Sequence, residues 1–481
     1  MPLLLYLKKH SLVIAIVILY VLADMALTYK EIYLLNLAPL VLLLVYLAIA
    51  RIDLIYFLVV LLTPISVQFI EYFPSSPIDF AIPTEPLLFG ELILLVYRTV
   101  QSGLEDRRIF NHPVTFAILF YLFWLFITSI TSTMPLVSFK FLLARIWFIA
   151  IYYWLAVLVF RKHNNIRVFI WCYTIPMLVV IGYTVIRHLG YGLFDKDAAH
   201  FVMEPFFRDH TSYGAILAIL FFALGGLILN RKSSLLNNTL LWMTWAMVTI
   251  ALVLSYTRAA WISVLFAAGI LLLTLLKIRF RYILVIGVIA IVYFTNQRIT
   301  IIQKMEKNRQ ASSVTLSEHV QSISNITTDE SNLERINRWN CALRMFGERP
   351  FFGWGPGTYM FKYAPYQLSS EKTGISTDFG DRGNAHSEYI GPLAESGFLG
   401  SLSFVLVALM SLMTGFRVYS RTRDRRLKQI TLGLLLGFVT YLVHGALNNF
   451  LDTDKASALF WGITAAFVSL DIYLVEFNPQ D

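Results

Sequence analysis

Apolar segments long enough to cross a membrane recur along the whole chain of 481 residues. An α-helix needs roughly 20 residues to span the hydrocarbon core, and only helices or closed barrels satisfy their backbone hydrogen bonds there. The fourteen segments are 11–28, 33–50, 53–70, 86–98, 113–131, 136–160, 166–188, 212–230, 238–256, 259–277, 281–296, 398–417, 429–446 and 456–474. The sequence therefore predicts an all-α polytopic membrane protein with about 12–14 transmembrane helices. Segment 86–98 is short and contains Glu91, so a re-entrant or broken helix also fits it.

The composition agrees with this prediction, since 57% of the residues are hydrophobic and only 14% are charged. Such a balance is not typical of a soluble domain. The net charge of +9 raises the question of nucleic acid, but the chain offers no soluble basic domain to bind it. The two cysteines, Cys172 and Cys341, exclude a disulfide framework, and neither suggests catalysis.

Lysine and arginine predict the orientation, because short loops that are rich in them stay in the cytoplasm. With alternating spans, 20 basic residues fall on one side and six in the short loops of the other. The six are Lys30, Arg187, Lys196, Arg208, Arg258 and Lys455. Both termini are therefore predicted to be cytoplasmic, and the first segment is expected to be an uncleaved helix rather than a signal peptide.

One long polar segment, residues 297–397, interrupts the helices on the predicted outer side. We expect three regions: N-terminal transmembrane helices at 1–296, an extracytoplasmic domain at 297–397, and C-terminal transmembrane helices at 398–481. Within the middle region, residues 332–346 have apolar positions at helical spacing, which predicts an amphipathic helix. The predicted apolar face consists of Leu333, Ile336, Trp339, Leu343 and Phe346. The glycine-rich stretch "GERPFFGWGPGTY" that follows favours a compact turn.

Charged residues at the outer ends of the helices are candidates for function, because each ionisable group costs about 2.5–3.5 kcal/mol at the bilayer centre. Arg258, Arg208, Lys140 and Arg145 are such residues, and His386 stands where the polar segment meets an apolar helix. Arginine holds phosphate oxygens bidentately, so converging cations would suit a lipid-linked diphosphate. Alternatives stay open at this point. Lys140 can extend its ammonium to the interface, Arg145 can belong to a buried ion pair, and His386 can be structural.

The sequence "LDTDK" at 451–455 has the Asp-Thr-Asp spacing of metal-dependent sugar-nucleotide transferases. The match is weak, because three-residue patterns arise by chance and this loop is predicted to lie outside the cytoplasm, where nucleotide sugars are absent. We therefore predict no metal and no other cofactor.

Several motifs occur in order from Asn332 to Gly400: "RINRW", "PFFGWGPGTY" and "AHSEYIGPLAESGFLG". Upstream lies "LSYTRAAWISVLFA", a helix that begins with a hydroxyl residue, an arginine and a small residue. In these motifs the chain resembles the O-antigen ligase and O-antigen polymerase family of bacterial membrane glycosyltransferases. The resemblance implies a GT-C-like helical fold with one large periplasmic loop domain.

The resemblance also implies roles for individual residues. His386 corresponds to the catalytic histidine, and Arg258 to a ligand of the diphosphate. Arg208 would be a second such ligand, although His210 and Thr211 stand where the family often has Asn. Either Arg335 or Arg338 matches the basic position of the loop helix.

Family members take a glycan from undecaprenyl diphosphate and transfer it to an acceptor hydroxyl at the outer face of the inner membrane. The resemblance therefore implies a metal-independent transferase in which cations stabilise the departing diphosphate and His386 acts as base. A single direct displacement would invert the anomeric carbon. The expected partners are the lipid-linked donor, an acceptor that is lipid A core or another glycan, and membrane lipids.

Within this family the sequence favours a ligase only narrowly. An O-antigen or exopolysaccharide polymerase is the first alternative, and a protein glycosyltransferase is another. A polysaccharide or lipid transporter, or a flippase, belongs to a different class and would also explain buried cations among helices. The long outer segment and the lack of repeated halves in the sequence argue against transport.

Overall fold

A computed structural model of the protein describes residues 11–73, 80–103, 106–229, 235–276, 285, 289, 330–377 and 383–473. The chain forms two compact units, Met1–Tyr56 and Phe57–Asp481. The first contains helices α1 (Ser11–Tyr29) and α2 (Ala38–Ala50), which are connected through a 3₁₀ turn at Leu34–Leu37. Helix α3 (Ile52–Leu62) begins in the first unit and ends in the second.

The second unit begins with short elements. A 3₁₀ turn at Thr63–Ile65 leads to strand β1 (Val67–Gln68), helix α4 (Phe69–Tyr72) and strand β2 (Ala81–Ile82), and the two strands pair antiparallel. The helices that follow are α5 (Thr84–Ser102), α6 (Arg107–Phe110), α7 (Pro113–Ile130), α8 (Pro135–Ile149), α9 (Ala156–Val159), α10 (Asn164–Tyr191), α11 (His210–Ile228), α12 (Leu235–Leu254), α13 (Arg258–Leu275), α14 (Glu330–Glu348), α15 (Tyr359–Lys362), α16 (Gly391–Arg421), α17 (Arg425–His444) and α18 (Asp454–Tyr473). A π-helical turn at Ala150–Leu155 joins α8 to α9, and 3₁₀ turns lie at Ala198–His200 and Ala364–Tyr366.

Nine helices in the described part of the chain are long and apolar enough to cross a membrane, which confirms the prediction of an all-α polytopic membrane protein. Two shorter apolar helices, Ile52–Ile65 and Asn238–Leu254, match further predicted segments. Segment 86–98 lies within the continuous helix α5 of 19 residues, so the helix is not broken there. The predicted segment 281–296 lies outside the described residues except at positions 285 and 289. The division at residues 296 and 397 stays a prediction.

Glycines allow α11 and α17 to approach each other closely. A Cβ atom at Gly226 would lie 2.9 Å from the Cα of Gly433, and one at Gly433 would lie 2.8 Å from the Cα of Gly226. Small residues let transmembrane helices pack at such distances. Van der Waals contact stabilises the pair there, because the hydrophobic effect does not drive helices together within lipid. This contact joins the helix that begins beside Arg208 to the helix that precedes the 451–455 loop.

The long polar segment, which we call the outer segment after its predicted side, contains the predicted helix, α14, but the buried face of this helix differs from its apolar face. Leu343 of that face is 46% exposed, whereas the buried positions include Cys341, Ala342 and Met345, together with Glu334 and Arg338. The apolar members of this face pack into a small core whose other members are Tyr359, Tyr363, Ala385 and Ala394. The reason is chemical: Glu334 and Arg338 bond each other and their neighbours, so a charged face can be buried.

The glycine-rich stretch of the outer segment lies along the start of α16. The backbone N–H of Gly355 donates to the carbonyl of Glu395 over 2.7 Å, and that of Phe398 donates to the carbonyl of Pro350 over 2.9 Å. Gly397 interrupts the helix with φ +70°, and a Cβ there would lie 2.1 Å from the Phe351 oxygen. Glycine is needed at this position because both the conformation and the approach exclude a side chain.

Candidate functional site

A cavity of about 900 Å³ lies where the outer segment meets the helices. Its walls come from the region of strands β1 and β2, helices α5, α7, α8, α15 and α16, the start of α11, the segment before α16, and the loop between α17 and α18 with the start of α18. Ten charged residues are among the described residues that line it: Glu85, Lys140, Arg145, Arg208, Asp209, Glu388, Glu395, Asp452, Asp454 and Lys455. A mainly apolar cavity that contains several charged side chains and lies between membrane helices is a candidate ligand site.

Arg145 lies on the cavity wall and is already bound by protein groups. Its side chain is 5% exposed and donates to the backbone carbonyl of Leu451 and to the carboxylate of Asp452. The guanidinium also lies 4.8 Å from the ring centre of Phe141. A buried ion pair, which the sequence left open as an alternative, is therefore present at Arg145. Its role toward a ligand stays a prediction.

Lys140 and Arg208 also line the cavity. Lys140 is on α8, a little more than one turn before Arg145. Arg208 directly precedes Asp209, whose carboxylate accepts the backbone N–H of Ser212 over 2.7 Å and so caps α11. This cap fixes where the helix begins and holds the Arg208 backbone at the cavity wall.

Arg258 is the first residue of α13, and it is not among the described residues that line the cavity. The hydroxyl of the preceding Thr257 donates to the backbone carbonyl of His210 over 2.7 Å. The N-terminus of α13 therefore lies against the N-terminus of α11. Two helix N-termini at one place add positive potential there, which favours an anion.

His386 lies in a constrained loop beside the cavity. Its φ is +48°, an unusual conformation for a residue other than glycine. Its backbone N–H donates to the side-chain oxygen of Asn384 over 3.0 Å, and its carbonyl accepts the indole N–H of Trp339 over 3.3 Å. Asn384, Ala385, Ser387 and Glu388 line the cavity, whereas His386 is not among the described lining residues. The imidazole thus belongs to the segment that forms the wall.

Burial, together with the positive charges of Arg335 and Arg338, lowers the pKa of His386 to about 4. Removing an imidazolium from water disfavours its charged form, and neighbouring cations add to that effect. The imidazole is therefore neutral at pH 7, with one ring nitrogen unprotonated. The electrostatic coupling also shows that both arginines of the loop helix lie near His386.

Arg335 and Arg338 have different surroundings on α14. Arg335 donates through Nε to the carbonyl of Leu447 over 3.2 Å. Arg338 is buried: it donates through Nε to Glu334 over 2.5 Å and through Nη2 to Thr377 over 3.1 Å, and it lies 4.1 Å from the Tyr363 ring centre. The contacts of Arg338 therefore lie within the outer segment. Arg335, in contrast, connects α14 to the loop after α17.

Glu388 connects two cavity walls, and sequence reasoning missed it. Its Oε1 accepts the backbone N–H groups of Phe450 and Leu451 over 2.8 and 2.9 Å and the hydroxyl of Tyr441 over 2.7 Å. Burial, followed by the nearby charge of Asp452, raises the pKa of Glu388. The only sequence signal was its place two residues after His386 in "AHSEY".

The two aspartates of "LDTDK" have separate partners. Asp452 pairs with Arg145, whereas Asp454 accepts the hydroxyl of Ser66 over 2.5 Å. In the part of the chain that the structure describes, no group of three or more histidine, cysteine, aspartate or glutamate residues has the arrangement of a metal site.

Fold and site together define a multi-pass membrane protein whose helices and outer segment enclose a charged cavity. Residues 242–405 match the family model described as O-antigen ligase, so the predicted resemblance to that family is confirmed. Over these residues, about a third of the chain, the protein is similar to that family of membrane enzymes. The match includes Arg258, the loop helix and His386, and it ends before the 451–455 loop. No curated protein compared with the chain matches it.

Proposed function

We propose that this protein is a metal-independent, inverting glycosyltransferase that transfers a glycan from undecaprenyl diphosphate to an acceptor hydroxyl. The reaction would occur at the periplasmic face of the bacterial inner membrane, with both termini in the cytoplasm. The observation that carries the proposal is the cavity that Arg208 and Lys140 share with the residues flanking His386. It offers cations for a diphosphate beside a neutral imidazole.

The reaction would be one displacement at the anomeric carbon. The acceptor oxygen forms a bond to that carbon as the bond to the diphosphate oxygen breaks, and the diphosphate leaves with the electron pair. His386 takes the proton of the acceptor hydroxyl, a role worth about 10²- to 10⁴-fold in rate. Attack from the face opposite the leaving group inverts the carbon.

The cations divide into two groups in this proposal. Arg208 and Lys140 line the cavity and would contact the diphosphate directly, with Arg145 behind them in its pair with Asp452. Arg258, Arg335 and Arg338 lie beside the wall and would bind or attract the diphosphate from the His386 side. Positive groups that are fixed in place before the reaction stabilise developing negative charge without reorganisation.

We propose lipid A core as the acceptor, which makes the protein an O-antigen ligase. The alternative acceptor, another lipid-linked glycan, would make it a polymerase. Surface polysaccharide from a deletion strain separates the two. A polymer that accumulates on carrier lipid is expected for a ligase, whereas single repeats would indicate a polymerase.

The test of the reaction uses purified protein in vesicles with a glycan on undecaprenyl diphosphate and a core acceptor. We expect a new glycosidic bond and release of undecaprenyl diphosphate. Movement of the lipid-linked glycan across the bilayer without a new bond would overturn the proposal in favour of transport.

A further inference from the structure

Lys455 is a buried lysine on the cavity wall that neither the sequence motifs nor the proposed reaction assigns. It is the second residue of α18, and its side chain is 8% exposed. Its ammonium lies 5.5 Å from the ring centre of Phe207, next to Arg208, and both of these residues line the same cavity. A lysine that only extended toward the interface would reach water. This one points into the protein.

Neutral oxygens of one serine hold the ammonium in place. Nζ donates to the backbone carbonyl of Ser66 over 3.0 Å and to its hydroxyl over 2.7 Å. The hydroxyl donates in turn to Oδ2 of Asp454 over 2.5 Å. Oδ1 of Asp454 accepts the backbone N–H of Lys455 and is 3.7 Å from Nζ, beyond hydrogen-bond length.

The third donor of the ammonium is engaged only by the longer ion pair with Asp454, whose Oδ1 lies 3.7 Å from Nζ. A lysine ammonium has three N–H donors, and Ser66 accepts two of them. No third acceptor within hydrogen-bond length of Nζ occurs among the residues that the structure describes. The place of Lys455 in the first turn of α18 also disfavours its positive charge, because the N-terminal end of a helix has a positive electrostatic potential. A buried cation that lines a cavity and makes only two hydrogen bonds and one long ion pair is suited to bind an anion from that cavity.

We propose that Lys455 binds a phosphoryl group of the lipid diphosphate, with Ser66 as the residue that positions it. This inference rests on the proposed function for the identity of the ligand. Lys455 and Arg208 would contact the diphosphate from the part of the cavity wall that includes Ser66 and Phe207. The compact ammonium acts there as a point charge, whereas arginines supply the bidentate contacts.

The test measures binding without transfer. The probes are farnesyl diphosphate and farnesol, added to purified protein in nanodiscs without an acceptor. We expect Lys455→Met to weaken farnesyl diphosphate binding about tenfold or more and to leave farnesol binding within about twofold. Lys162→Met is the matched control, because Lys162 is exposed and does not line the cavity. It should bind both probes as the wild type does.

A second variant separates ligand binding from structural support. Lys455→Met alone leaves the buried Asp454 without its neighbouring cation, which can destabilise the fold. The double variant Asp454→Asn/Lys455→Met removes both charges and keeps an oxygen for the Ser66 hydroxyl. We expect the double variant to bind farnesyl diphosphate as weakly as the single variant does.

Three results would overturn the inference. The first is binding of farnesyl diphosphate by the double variant at wild-type strength. The second is an equal loss of farnesol binding and farnesyl diphosphate binding in Lys455→Met. The third is the absence of farnesyl diphosphate binding by the wild type. Failure of the proposed function has a different signature, since the wild type would then bind the diphosphate yet form no glycosidic bond from a lipid-linked glycan.

Discussion

The indole N–H of Trp339 donates a hydrogen bond to the backbone carbonyl of His386 over 3.3 Å. This bond joins α14 of the outer segment to the loop that leads into α16. It helps to hold His386 at a positive φ, and it brings "RINRW" and "AHSEY" into contact although 47 residues separate Trp339 from His386. The backbone of His386 is therefore fixed between residues that line the cavity, Ala385 and Ser387.

Replacing His386 by Ala should reduce glycan transfer by about 10²- to 10⁴-fold, the range for a lost general base. The fold should persist, because the backbone contacts to Asn384 and Trp339 do not use the imidazole. The measurement is product formation in vesicles, normalised to the folded fraction from size-exclusion chromatography. His112→Gln, at the N-terminal end of α7 and not itself among the described residues that line the cavity, is the control and should transfer normally. Full activity of His386→Ala would remove this residue from the mechanism.

The loss of folding stability at acid pH should depend on His386. Its pKa falls from 6.5 to about 4 on folding, so between these values the unfolded chain binds a proton that the folded protein does not. The neutral imidazole therefore contributes stability above about pH 6.5, and that contribution is lost as the pH falls toward 4. We expect the Tm of the wild type to fall more steeply over this window than that of His386→Gln. Parallel curves for the two proteins would contradict the shift.

The pair of Arg145 and Asp452 should stabilise the cavity wall. Asp452→Asn leaves the buried guanidinium with neutral acceptors only, and the cost should be about 1–3 kcal/mol, reduced because Asp452 is half-exposed. The readout is the denaturant midpoint in detergent. Asp53→Asn is the matched control, because its pair with Arg51 is exposed and should be worth about 0.2–1 kcal/mol. Equal effects of the two substitutions would show that the buried pair does not stabilise the wall.

Gly397→Ala should prevent normal folding of the outer segment. The left-handed conformation alone costs about 1–2 kcal/mol, and the new Cβ would lie 2.1 Å from the Phe351 oxygen. We expect a strong drop in the amount of folded protein in membranes. Gly269→Ala on α13 is the comparison, because a Cβ there meets no atom within 4 Å and alanine favours a helix. Normal yield of Gly397→Ala would show that the backbone can change its path.

Chelation with EDTA should leave transfer unchanged. In the proposed reaction the cationic side chains stabilise the leaving diphosphate, and both aspartates of "LDTDK" have protein partners. Activity is compared before and after EDTA, followed by addition of Mg²⁺ or Mn²⁺. A strong loss that a divalent cation restores would revive a metal role for Asp452 and Asp454.

Long apolar runs made the helices predictable. A membrane-spanning segment must form all of its backbone hydrogen bonds internally, whatever surrounds it. The motifs around His386 likewise indicated the family from local sequence alone. The buried face of α14 was not predictable in this way. Apolar spacing selected Leu343, which is exposed. Glu334 and Arg338 are buried instead, because they bond each other and also bond Ser376 and Thr377, which local spacing does not place beside α14.

The sequence by itself determined that this protein crosses a membrane many times, which family it resembles and which cations stand at the ends of its helices. Only the tertiary structure decided which of those cations share a cavity and which are bound to protein partners. Arg145 meets Asp452 across 307 positions, and Lys455 meets Ser66 across 389. Such pairs depend on how helices pack, and packing depends on the shapes of many side chains at once rather than on any local pattern.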